Sequence, residues 1–179
     1  MIMAQIREVQ RVKSVCGITF AQSVELEGIL DAIAGIIGKV EQRCEVFEFD
    51  HTGYYAEEMG DGLRKVFASF QGLIHPGRLS EMKKKTTNEL EAVWSEHERR
   101  KVNLDPGYVT MAKVVMASAK DFAHRVYIGD GIYGDVQLQY RDHGFRVQPW
   151  TFPDYQTQIA LSFFEDVRKA LYEEVKTHG

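Results

Sequence analysis

Between Arg100 and Arg125 the sequence gathers side chains that bind anions and move protons: Arg100, Asn103, Asp105, Tyr108, Lys120, Asp121, His124 and Arg125. Guanidinium forks suit phosphate or carboxylate through paired charge-assisted bonds, and a lysine adds a point charge. Asp105 or Asp121 would orient donors on the same ligand, with Asn103 and Tyr108 beside them. A histidine side chain can be tuned towards neutral pH, which makes His124 a candidate acid or base. A second group lies in "TGYYAEEMG" (Thr52 to Gly60), where Tyr54 and Tyr55 would wall a ligand and Glu58 would carry a proton. Glu57 and Glu58 are adjacent and point different ways in most backbone conformations, so at most one is catalytic. Together these residues predict a small anionic, nucleotide-like ligand in a cleft lined by Tyr, Arg and Asp. Arg100, Lys120 and Arg125 are expected on its exposed rim. Two other classes fit the same residues: an enzyme using His124 or Glu58 as acid/base, and a non-catalytic interaction protein that packs a homo-oligomer face.

Several chemistries are excluded by spacing. A P-loop needs G-x-x-x-x-G-K-[ST] to wrap phosphates in backbone N–H groups. The nearest run ends in Gly38-Lys39, with Ile33 in place of the first glycine and Val40 in place of the hydroxyl. "SAKD" (Ser118 to Asp121) offers a carboxylate suited to the donors of a guanine edge, but stands without a P-loop. The six histidines show no H-x-x-x-H spacing, so no metal is indicated, Asp50, His51 and Glu57 being the weak exception. There is no G-x-S-x-G elbow, no pair of H-x-[ST] motifs, and nothing that names a cofactor. Cys16 and Cys44 sit in apolar segments and read as reduced packing residues.

The elements that must position these residues follow from hydrophobic periodicity. "RVKSVCGITF" and "LRKVFASFQGLI" read as strands, and "CEVFEFD" alternates as a half-buried strand with Phe47 and Phe49 inward. Leu26, Ile29, Leu30, Ile33, Ile37 and Val40 mark one helix; Leu90, Val93, Trp94 and His97 mark a second, with Ser80 as its N-cap. "KVNL" is a fourth strand, giving βαββαβ, a ferredoxin-like first part. Asp105-Pro106-Gly107 then predicts a tight turn, and Met111, Val114, Val115 and Ser118 a helix after it. Asp130-Gly131 and Asp142-His143-Gly144 divide a β-meander. A final helix carries Ala160, Phe163, Phe164, Val167 and Leu171 on one face, with Asp154 as its cap and Trp150 in the core. Lys83-Lys84-Lys85 reads as a solvated face. The class is α+β with a mixed or antiparallel sheet.

With 179 residues, 44% hydrophobic and 27% charged, the chain suits one domain over residues 1–179. A net charge of -4 argues against a duplex-DNA partner. No run approaches the ~18 to 20 apolar residues of a membrane span, and "MIMAQIREVQRVK" lacks the features of a signal peptide, so a cytoplasmic location is expected.

Five ordered segments, "TGYYAEEMG", "KKKTTNELE", "RKVNLDPGYV", "ASAKDFAHRVYIGDGIY" and "PWTFPDY", together resemble domain-of-unknown-function family 4416, small prokaryotic proteins, over nearly the whole chain. Some members carry the label GTP-binding protein, so the resemblance implies a nucleotide as the ligand to test. Against that family's pattern, Gly53 stands at a usually polar or acidic position and Asp135 near a usual glutamate.

Overall fold

The computed structural model describes residues 5–49, 59–96 and 99–178. Its strands are β1 (Val12–Phe20), β2 (Val40–Arg43), β3 (Phe47–Glu48), β4 (Arg64–Ile74), β5 (Ser95–Glu96), β6 (Arg99–Arg100), β7 (Val102–Val109), β8 (Lys113–Ser118), β9 (Val126–Gly129), β10 (Ile132–Arg141) and β11 (Gly144–Val147). The helices are α1 (Leu26–Ala34), α2 (Leu79–Lys85) and α3 (Gln158–His178). This is an α+β protein, and its main sheet of nine strands is antiparallel at every pairing, in the order β11-β10-β8-β7-β1-β4-β2, with β3 against β4 and β9 against β10.

Both faces of the sheet are covered, and β1 shows why its composition is so apolar. All nine of its residues are buried. Cys16, Ile18 and Phe20 face α1 and α2, where Ile29, Leu30, Ile33 and Met82 complete one core. Val15 faces the other way, into a second core with Phe67, Leu138 and the α3 residues Ala160, Phe163, Phe164 and Val167. Phe67 is the aromatic centre of that side, with ring centroids 4.9 Å from Tyr155 and 5.2 Å from Phe164. Lys13, also fully buried, ties the layers together by pairing with Glu41 and with Glu174 of α3.

Several local expectations are corrected. The first helix stops at Ala34, and Val40 opens β2 instead of closing α1. Ser80 is inside α2, whose N-cap is Arg78; the helix then loosens into a π turn over Thr86–Leu90 and a 3-10 turn over Glu91–Trp94. His97 lies outside the described residues. The run after Val109 is not a helix: Thr110 Oγ1 accepts from the N–H groups of Ala112 and Lys113, making a tight reversal into β8, and the β-branched Val114 and Val115 pair with β7 and β10. The meander follows the expected turns, with positive φ at Asp130 and Gly131 and at Asp142 and His143.

Asp105-Pro106-Gly107 is the most consequential correction, because it lies inside β7 and pairs with Gly17, Cys16 and Val15 of β1. The other edge of β7 explains the proline. Leu104 turns its N–H and C=O away from β1, to Glu91 and Lys83, and by strand alternation position 106 faces the same way. The ladder to β8 holds from Val109↔Val114 to Gly107↔Met116 and would next join Pro106 to Ala117. Proline has no N–H to continue it. From there the strands part, β7 following β1 and β8 following β10. At the branch point a Cβ on Gly107 would lie 2.4 Å from Met116 Sδ and 2.5 Å from the Val115 carbonyl oxygen. Gly107→Ala is therefore expected to destabilise the fold by about 1–3 kcal/mol through overpacking, measured by urea denaturation; an unchanged midpoint would contradict this account of the branch.

Candidate functional site

Where β7 and β8 separate, the sheet opens into a cavity of about 320 Å³. Its walls come from β4 (Lys65), the α2 segment (Lys83, Thr87), β6 and β7 (Arg100, Asn103, Asp105), β8 (Met116 to Ser118) and β10 (Asp135, Gln137). Phe122, Phe152 and Tyr155 add rings from the loops. Two devices hold the far wall. In β10 the register to β8 slips between Val136 and Leu138, a bulge that places Gln137 as an extra residue. The segment Trp150 to Phe152 straps that bulge: Trp150 Nε1 donates to the Val136 carbonyl, Thr151 Oγ1 to the Gln137 carbonyl, and Phe152 N–H to Gln137 Oε1.

The charges in the wall are paired and shielded. Lys65, 4% exposed, lies 2.5 Å from Asp154 and within 5.0 to 5.3 Å of the ring centres of Phe49, Phe67 and Tyr155. Lys83 donates to the Leu104 carbonyl at 2.7 Å and to Asp105 at 3.1 Å, with Glu91 3.8 Å away. Arg100 donates to Glu91 at 3.1 Å and to Asn103 at 2.8 Å, and Asn103 donates to Asp105 at 2.7 Å. Thus Lys83 and Glu91 do two things at once: they satisfy the backbone edge that Pro106 leaves open and they set the charge of the cavity. Burial pushes the Asp105 carboxyl up, but Lys83, Lys65 and the Asn103 bond outweigh it and hold the group below its ordinary value. Glu91 goes the other way, raised by burial that its cationic neighbours do not cancel.

Arg125 is not the exposed rim residue that the sequence implies. Its side chain is 3% exposed; Nε donates to Asp135 Oδ2 at 2.7 Å, and an NH group donates to Ser118 Oγ at 2.7 Å and to the Lys120 carbonyl at 3.0 Å. His124 Nε2 approaches the same Asp135 oxygen at 3.3 Å, and its ring stacks on Trp150 at 5.2 Å.

Of the residues singled out by sequence, Arg100, Asn103, Asp105, Lys120 and Arg125 meet in this one cavity. His124 stands behind its wall, touching Asp135. Tyr108 does not join them; it packs on the face covered by α1 and α2. Asp121 lies outside the lining and bonds to Tyr133, whose hydroxyl is raised above its ordinary value by desolvation first and by the Asp121 carboxylate second. Tyr54, Tyr55, Glu57 and Glu58 lie outside the described residues, as do Asp50 and His51. Among the described residues no cluster suited to a metal ion occurs. Cys16 and Cys44 are free, and burial raises both thiols, which leaves them unreactive.

The sequence reading missed Lys65, Lys83, Asp135, Gln137 and Asp154. Lys83 belongs to the supposed solvated triplet but is buried, while Lys84 and Lys85 are exposed. Asp154 pairs with Lys65 and does not cap α3, where Thr157 Oγ1 accepts from Ala160 N–H instead. Trp150 is partly exposed and straps β10 rather than filling the core. A signal for Lys65 was present: in "RKVFASF" it occupies the same alternating face as Phe67.

Fold and cavity define an α+β protein with a partly open, charged pocket at a parted sheet. Residues 10–171, nearly the whole chain, match the family model described as Domain of unknown function (DUF4416), and the chain belongs to that family. No match was found among curated proteins or solved structures. Among the described residues no helix is long and apolar enough to cross a membrane.

Because Arg125 and Asp135 form a buried pair with 3% and 2% of their side chains exposed, removing one partner strands the other. Arg125→Ala should cost about 3–5 kcal/mol in urea denaturation. A loss under about 1 kcal/mol, as for a surface pair, would contradict the geometry.

Proposed function

We propose that this protein is a cytoplasmic binder of a small anionic, nucleotide-like ligand, held in the cavity between β7 and β8. One observation carries the reading. The lining contains five basic side chains, Lys65, Lys83, Arg100, Lys120 and Arg125, against three acidic ones, Asp105, Asp135 and Asp154. Even with Glu91 behind them, bases outnumber acids, although the chain as a whole is at -4. A wall held rigid by buried ion pairs and opened by an apolar, ring-bearing loop suits a ligand with a compact charge and a flat or apolar body. Lys120, exposed at the end of β8, is the cation best placed to meet an entering anion.

A catalytic version uses the same cavity. It is favoured by the contact of His124 with Asp135, since a carboxylate on one ring nitrogen orients the other for proton transfer.

The test is a melting screen of phosphates, sugar phosphates, nucleotides and carboxylates at millimolar concentration. A ligand at ~100 times its Kd should stabilise the fold by about 2.7 kcal/mol, or roughly 5 to 10 °C. Lys120→Ala should weaken the effect about tenfold in ligand concentration while leaving the unliganded melting point within about 2 °C, because an exposed lysine contributes little to folding. No shift with any anion would overturn the reading.

A further inference from the structure

On β10, two buried polar atoms of residues that line the cavity have no hydrogen-bond partner among the described residues. Asp135 is 2% exposed; its Oδ2 takes Arg125 and His124, while Oδ1 accepts from nothing. Gln137 is 1% exposed; its Oε1 accepts from the Phe152 N–H, while Nε2 donates to nothing. The Phe152 bond fixes the orientation of the amide, because the reversed amide would set donor against donor. What is left is one carboxylate oxygen that only accepts and one amide nitrogen that only donates.

Buried polar groups are nearly always paired, and an orphan in a wall is an opening for a partner that enters the cavity. Here the orphans come as a complementary pair, two residues apart on one strand and so on the same face of it, with the β10 bulge falling at Gln137. The strap from Trp150 to Phe152 holds that bulge by three hydrogen bonds, so the pair is built in and not left to side-chain rotation. Lys65, Lys120 and Arg100 bring positive charge to the same cavity, and Phe49, Phe122, Phe152 and Tyr155 give it ring faces.

We propose that the ligand carries, next to its anionic group, a neutral hydrogen-bond donor and acceptor side by side, read by Asp135 Oδ1 and Gln137 Nε2. A pair of sugar hydroxyls has this chemistry, and so does the amide-type edge of a nucleobase. The inference rests on the anion-binding reading of the same cavity and adds what distinguishes the ligand from a bare anion.

Calorimetric titration of the full chain with orthophosphate, ribose 5-phosphate and uridine 5′-monophosphate tests it. Wild type should bind at least one of the two organic phosphates about tenfold more tightly than orthophosphate, the effect of about 1.4 kcal/mol of hydrogen bonding. A gain already complete with ribose 5-phosphate assigns the pair to sugar hydroxyls; a gain that needs the uracil ring assigns it to a base edge. Gln137→Met removes the donor, and Gln137→Glu keeps the acceptor for Phe152 while replacing the donor with an acceptor. In both variants the ratio of organic phosphate to orthophosphate affinity should fall to about one to two, and any change that acts on the shared anion cancels in that ratio. The ratio in wild type stands as a test even if neither variant folds. Equal affinity for all three phosphates in wild type overturns the inference, with a bound water then filling the orphan pair, and leaves the anion site standing. A gain that survives in Gln137→Glu also overturns it. Binding of none of the three overturns the anion site as well.

Discussion

A missing hydrogen bond shapes this protein. Pro106 cannot donate to the strand that would continue its ladder, so β7 and β8 separate one residue beyond Gly107 and Met116. A parted sheet exposes backbone groups that must be satisfied some other way. Lys83 and Glu91 satisfy them, taking the Leu104 carbonyl and N–H, and they reach the strand because the α2 helix loosens into π and 3-10 turns on its way past. The same substitution of side chain for strand leaves room between the two halves of the sheet, and that room is the cavity.

Charge enters the interior as a consequence. Lys83 draws in Asp105, Glu91 draws in Arg100, and Asn103 links the two pairs. On the opposite wall Lys65 meets Asp154, and Arg125 meets Asp135. Buried ion pairs are weak evidence of stability, since apolar residues of equal volume commonly do as well. Holding four of them around one opening makes better sense as the construction of a polar, rigid pocket, where a charge already desolvated and oriented costs little to reorganise when a ligand arrives. This is the physical content of the binding proposal.

Much of the frame was legible in the sequence. β1 and β4 announce themselves as apolar runs because both sheet faces are covered, and the glycine and aspartate turns mark the meander. The α3 stripe is equally plain, from Ala160 to Leu171. β8 was not, because Met111, Val114, Val115 and Ser118 fit a helical period by coincidence while the β-branched pair pointed to strand. Asp105-Pro106-Gly107 has the composition of a turn, and only the sheet reveals that its proline ends a ladder and its glycine admits Met116. Arg100, Asn103, Asp105, Lys120 and Arg125 were found by residue type. Lys65, Asp135, Gln137 and Asp154 were not, since they sit in apolar strands or next to prolines, and their convergence depends on the parted sheet.

Backbone amide shifts in the isotopically labelled protein, followed while a phosphate-bearing ligand is added, test the central claim most directly. The account predicts saturable changes concentrated at Leu104, Asp105, Ser118, Lys120, Asp135 and Gln137, on both sides of the parting. Changes confined to the exposed Lys84 and Lys85, or no saturable change at all, would contradict it.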